Sequence, residues 1–164
     1  MVNVRMNKRA LIQKIVDRLT VELSVYFRAA QNSRAEATHE QSRAESKYDT
    51  RGLEASYLAR GQSRQAAELE AAISEFQKMD VRKFAAGEGI GVGALVELEA
   101  VGETTYYFIG PRAGGTEVVQ DSKEVLVITP QSPLGAQLMG KKSGDRPQLL
   151  FAGRKQPSWI VSVE

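Results

Sequence analysis

Two stretches of the chain follow different hydrophobic rules. From Asn7 to Ala44 there is neither glycine nor proline, and apolar or small residues recur at Ile12, Val16, Leu19, Leu23, Tyr26, Ala30, Ser33 and Ala37. Alternating steps of four and three place these positions on one coiled-coil seam. A second seam runs through Ala55, Ala59, Gln62, Ala66, Leu69, Ile73 and Phe76. Between the two lies Glu45–Gly52, where Asp49 and Thr50 are N-cap candidates and Gly52 reads as a turn residue. Large residues open the first seam and close the second, and alanines flank the turn. Folding back at about Asp49 sets Tyr26 opposite Ile73 and Ala44 opposite Ala55, so layers of like size pair. The pattern predicts a long antiparallel helical hairpin over about residues 5–80, with its turn within 45–53. An arm of ~35 residues at ~1.5 Å each is about 50 Å long. So thin an element buries little core, and its reach must itself be useful.

The second half reads as strands. Gly87, Gly89, Gly91 and Gly93 mark Ala86–Gly93 as a linker; the stretch follows a helix and lacks dinucleotide-loop spacing. Strand-like runs follow at Ala94–Val101, Thr104–Ile109, Val125–Thr129, Gln148–Phe151 and Ser158–Val163, separated by Gly/Pro/Asp turns. One short helix fits at Pro133–Met139, with Pro133 in its first turn. The expected architecture is α+β: a coiled-coil hairpin over 1–83, then a small twisted antiparallel sheet with one helix over 84–164. Trp159 reads as core.

Composition narrows the chemistry. The 164 residues are 42% hydrophobic and 26% charged, a globular balance. No apolar run approaches the ~20 residues of a membrane span, and the N-terminal stretch has no signal-peptide core, so a soluble cytoplasmic protein is expected. Cysteine is absent and His39 is the only histidine, which excludes disulfides, thiolate chemistry and multi-histidine metal sites. His39 reads as a solvated residue on the arm. The protein is therefore expected not to be an enzyme in its own right. Residues 1–83 carry fifteen Lys/Arg against eleven Asp/Glu, and residues 84–164 carry seven against nine. Arg5, Lys8, Arg9 and Lys14 lie together without an acid between them. Such a run is either a solvated helix face or a weak contact with RNA or DNA phosphates.

The string Ser132-Pro-Leu-Gly-Ala-Gln-Leu-Met-Gly-Lys-Lys-Ser-Gly-Asp145 resembles the C-terminal signature of the Gre transcription elongation factors. Ile128–Pro133 and the closing run Trp159–Glu164 fit the same family, and Leu53-Glu-Ala-Ser-Tyr-Leu-Ala59 is similar to its Asn-Ala-x-Tyr stretch after the tip. The resemblance covers nearly the whole chain, with a first arm several residues longer than usual. It implies an FKBP-like globular domain that docks on bacterial RNA polymerase, with Ser132 and Pro133 in the docking loop. It also implies a coiled coil inserted into the secondary channel. Acidic tip residues would there help hold the polymerase's second Mg²⁺, position water and promote cleavage of the nascent RNA 3′ end. No cofactor of the protein's own is implied.

The family's tip is Asp, Glu three residues later, then Asn-Ala-x-Tyr. Anchored on Tyr57, this chain offers Asp49 and Glu54, five apart, with Leu53 in the Glu slot. Both are candidate catalytic, Mg²⁺-assisting acids, and Gly52 is placed to bend the chain between them. The alternative is that Asp49 caps the second helix and Glu54 favours its positive N-terminus. Glu45 is a further tip acid, Lys47 and Arg51 are neutralising or RNA-contacting groups, and Tyr57 and Leu58 lie off the seam. Three other functions compete with stimulated cleavage: a non-cleaving regulator of the same channel, a prolyl isomerase by fold analogy, and a structural coiled-coil adaptor. A fold alone carries no activity, and the available aromatics are needed to fill the sheet domain.

Overall fold

The computed structural model describes residues 5–38 and 51–164; the side-chain surroundings of 30, 33, 34, 36–38, 51–60 and 62 are also outside the description. Two long helices, α1 (Lys8–Thr38) and α2 (Arg51–Lys78), precede a six-stranded sheet. Asn7 caps α1: its Oδ1 accepts the Ala10 N–H at 3.1 Å. Neither helix is interrupted. The turn expected within 45–53 lies outside the described residues as far as Thr50. Arg51, Gly52 and Leu53, placed in that turn by the sequence, belong to α2 instead.

The chain forms two compact units, Leu19–Ile73 and Met1–Arg18 with Ser74–Glu164, and the boundary expected at 83/84 falls inside the second of these. In the helical unit burial follows the seams. Leu19 is buried and Leu23 and Tyr26 are half-buried, whereas Val21, Val25 and Phe27 face solvent. Ala66 is buried, with Leu69 and Ile73 half-buried; Ala72, beside the seam rather than on it, is also buried.

The sheet unit contains β1 (Leu95–Ala100), β2 (Glu103–Ile109), β3 (Glu117–Gln120), β4 (Lys123–Ile128), α3 (Pro133–Leu138), β5 (Gln148–Phe151) and β6 (Arg154–Val163), with strand order β3-β4-β2-β1-β6-β5. The sheet is mixed, which corrects the antiparallel expectation: β2 and β4 run parallel, Tyr106 beside Val125 through Ile109 beside Ile128. The cause is an extra strand. β3 turns back into β4 at Asp121-Ser122, and β4 then runs beside β2 in the same direction. Three two-residue hairpin turns, Val101-Gly102, Asp121-Ser122 and Ala152-Gly153, have positive φ at both central positions, the type I′ requirement. β6 serves two partners. Its first half pairs with β5, and its second half pairs with β1 across a bulge opposite Glu97/Leu98.

Alternation along the strands fills both faces. Val96, Leu98, Tyr107, Ile109, Ile128, Leu149 and Ile160 form one core with Leu138 of α3. Phe108 points the other way, with Phe76 of α2 at a ring-centroid distance of 6.4 Å. Gly110 permits this approach: a Cβ there would stand 2.8 Å from Phe76 Cζ and 2.9 Å from Val127 Cγ1. Trp159, expected in the core, is half-buried on the outward register of β6, with the Arg146 guanidinium 4.9 Å from its ring centroid. The adjacent Ser158 and Ile160 take the inward positions.

Candidate functional site

The Ser132–Asp145 string folds as a tightly tied loop, helix and turn. Pro133 occupies the first helical position of α3, where a missing N–H costs nothing. Ser132 is the N-cap. Its Oγ accepts the Gly135 N–H at 3.1 Å and donates to the Thr129 carbonyl at 2.7 Å. Gly135 is buried against the same carbonyl, and a Cβ on it would lie 1.8 Å from Thr129 O. After α3 the chain crosses the glycine-rich stretch expected as a linker. Ile90 donates to Lys141 O at 2.7 Å and accepts from Gly140 N at 2.9 Å, and a Cβ on Gly89 would stand 2.9 Å from Gly140 O. Ile90 is buried in the core cluster. The stretch is therefore part of the packed sheet unit, and Gly89 allows the close backbone approach. Asp145 closes the string, its Oδ2 accepting the Lys142 N–H at 2.7 Å.

The residues proposed for docking divide accordingly. Ser132 is half-buried with its hydroxyl engaged on both sides, and Pro133 is exposed. Gln137 was not singled out by the sequence, yet its side chain performs a structural task. Its Oε1 accepts Leu150 N–H at 2.7 Å and its Nε2 donates to Leu150 O at 3.2 Å, covering the edge of β5. At the other edge Lys14 Nζ donates to Val119 O of β3 at 2.8 Å. The periodicity of α1 gave no hint of this, because the contact spans 105 residues of sequence.

Of the tip acids, Asp49 lies outside the described residues, as do Glu45, Lys47 and His39. Glu54 is on α2, within the first turn after Arg51, and its side-chain surroundings are outside the description. The bend expected at Gly52 is not formed: Gly52 is helical. By chemistry alone, two carboxylates suit Mg²⁺, which takes hard oxygen donors. Among the described residues no cluster of three or more acids, histidines or cysteines is placed to hold a metal, and no helix is long and apolar enough to cross a membrane.

No protein-family profile and no curated protein matches the chain. Among solved structures, the chain is similar to the GreA factor homolog 1 (Gfh1) of Thermus thermophilus, at 24% identity over 91% of this chain and 94% of that one, with a TM-score of 0.37. A second structure of the transcription factor Gfh1 aligns at 23% identity over 92% of this chain and 93% of that one, TM-score 0.39. The Thermus aquaticus Gfh1 aligns at 25% identity over 90% and 92%, TM-score 0.39. These likenesses are to homologs of a Gre factor and run nearly end to end.

Proposed function

We propose that this protein is a Gre-type transcription factor that docks on bacterial RNA polymerase through its sheet unit. In this reading α1 and α2 pair as an antiparallel coiled-coil hairpin and enter the secondary channel. The observation that carries the reading is the Ser132–Asp145 string. It resembles the Gre signature, and its cap, proline, glycines and closing aspartate each have a structural task in one continuous unit. The two helices of 31 and 28 residues support the arm, with Leu19, Leu23, Tyr26, Ala66, Leu69 and Ile73 buried or half-buried along the described parts of the seams.

Asp49 and Glu54 are the carboxylates assigned to the arm's far end. They would share the polymerase's second Mg²⁺, which when bound activates water and stabilises the leaving oxygen. The protein itself contributes oxygen donors and needs no cofactor and no catalysis of its own. Because Ser132 is occupied as a cap, the exposed Pro133 is the better placed of the two docking residues.

One observation favours the second reading, a regulator that occupies the channel without promoting cleavage. Gly52 is helical, so the bend that would compensate the spacing is not formed there, and Asp49 and Glu54 stand five apart in the sequence where the family's acids stand three apart. Stalled, backtracked elongation complexes with Mg²⁺ decide between the two. Cleavage by the parent chain that is lost in Asp49→Asn and Glu54→Gln, with polymerase binding intact, establishes the first reading. Slowed nucleotide addition without shortened RNA establishes the second. Absence of polymerase binding defeats both.

A further inference from the structure

The basic run at the start of α1 has a destination in the sheet unit. Arg5, Lys8 and Arg9 meet Arg82 and Lys83, from the segment after α2, around a concave cavity of about 330 Å³ floored by Phe84. We propose that this cavity binds the di- or triphosphate group of a small phosphorylated molecule.

Charge is the first argument. Five cations line the cavity, and the acid among its lining residues is Glu164. Arg82 has an ion-pair partner in Glu88. Lys8 Nζ is held by two carbonyls, Gly93 O at 2.8 Å and Glu164 O at 2.9 Å. Arg5, Arg9 and Lys83 have no ion pair among the described residues. The first turn of α1 carries no acid, so the partial positive charge of its N-terminus adds to the same field. Burial first, and then the Arg82 charge, lowers the Lys8 pKa to about 8, against the opposing pull of Glu164 and Glu88. An anion entering here relieves repulsion as well as gaining attraction.

Rigidity is the second argument. The Arg82 guanidinium lies 3.9 Å from the Phe84 ring centroid and Lys8 Nζ lies 4.9 Å from it. Cations held on an aromatic face are set in position before a ligand arrives. Glu88 anchors the segment from below: its carboxylate also accepts the Ala85 N–H at 2.8 Å, and that bond together with Arg82 holds its pKa below the usual range.

Size and shape are the third. The cavity falls in the range of small-ligand sites, roughly 300–1,000 Å³, and the surplus of cations suits more than one phosphate. A nucleic-acid backbone would need a continuous basic track. None continues from here along α1, because Lys14, the next base of the run, is turned to the β3 edge at Val119 O.

Calorimetric titration of the full chain with inorganic pyrophosphate, ATP and sulfate at matched ionic strength tests the assignment, alongside a single-stranded oligonucleotide. Pyrophosphate is expected to bind with one-to-one stoichiometry and more tightly than sulfate. Arg9→Gln combined with Lys83→Gln should weaken it at least about tenfold, the scale of lost hydrogen bonds to charged groups. Arg154→Gln, outside the cavity, should leave it unchanged. ATP binding more tightly than pyrophosphate identifies a nucleotide as the source; equal affinities identify the free polyphosphate. Both uphold the site. Absence of saturable pyrophosphate binding, affinity equal to sulfate, affinity unchanged in the double variant, or saturable binding by the oligonucleotide alone each overturns it. Circular dichroism of the double variant, whose two positions are exposed, separates loss of the site from loss of fold.

Discussion

Replacing Gly135 with alanine isolates the tightest contact in the signature. Gly135 does not have a positive φ, so the added methyl brings no backbone penalty and acts by volume alone. That methyl would sit 1.8 Å from Thr129 O and 2.7 Å from Ser132 Oγ, distances that real Cβ contacts do not reach. Relief requires a displacement of more than 1 Å between the start of α3 and the Thr129 carbonyl. Overpacking of this kind costs about 1–3 kcal/mol. The same displacement breaks the Gly135 N–H to Ser132 Oγ bond, and a lost N-cap adds about 1 kcal/mol. It also draws fully buried Leu138 out of register with the core. A total of about 2–4 kcal/mol is expected. Ser132→Ala keeps the space and loses the cap, so about 1 kcal/mol is expected there. Trp159 is the only tryptophan and lies on β6, so its fluorescence during urea unfolding reports on the sheet unit. If Gly135→Ala shifts that transition no further than Ser132→Ala, the close approach to Thr129 is not a determinant of the fold, and the structural account of the signature fails.

Phe76→Ala removes a fully buried ring from Phe108 and is expected to destabilise the same Trp159-reported transition by about 3–5 kcal/mol; a loss below about 1 kcal/mol would mean that the base of α2 is not part of the sheet unit. Lys8 gives a pH signature: its folded pKa of about 8 lies below the ordinary 10.5, so between these values the unfolded chain holds a proton that the folded chain has released. Stability contributed by this group therefore rises as pH climbs from 8 toward 10.5, and urea midpoints across that window should show a positive slope that Lys8→Met abolishes; an unchanged slope in the variant assigns it to another group.

What the sequence displayed and what it concealed follow from the range of the interactions. Burial at Ile12, Val16, Leu19, Ala66 and Phe76 follows from a local period and was legible. So was α3, because a cap serine followed by proline is a local start signal. β3 was missed because Glu117-Val-Val-Gln120 is four residues long and its turn is Asp-Ser rather than Asp-Gly. The parallel β2–β4 pairing followed it into obscurity, since register between strands joined through a third leaves no local trace. The glycines of Ala86–Gly93 serve two ends: Gly87 and Gly93 take left-handed backbone, as a turn reading expects, whereas Gly89 lies against Gly140, 51 positions on, a proximity with no local trace. Trp159 was placed inward by size, whereas the alternation of β6 assigns the inward positions to Ser158 and Ile160.

The candidate site divides along the same line. A signature string read as a docking motif can owe its residue types to folding: here Ser132 and Asp145 are accounted for by hydrogen bonds, Gly135 by close approach and Gly140 by its left-handed backbone (φ +79) within the sheet unit. Resemblance in that string therefore supports a shared scaffold more directly than a shared reaction. The chemistry proposed for this chain rests on Asp49 and Glu54, separated from the signature by more than seventy residues and answerable to a different constraint, the geometry of oxygen donors around a metal. A chain can keep the scaffold and lose the reaction by changing the tip alone. Polymerase binding and RNA cleavage are therefore separate questions: a variant that unfolds α3 should lose both, and an amide at Asp49 or Glu54 should lose cleavage only.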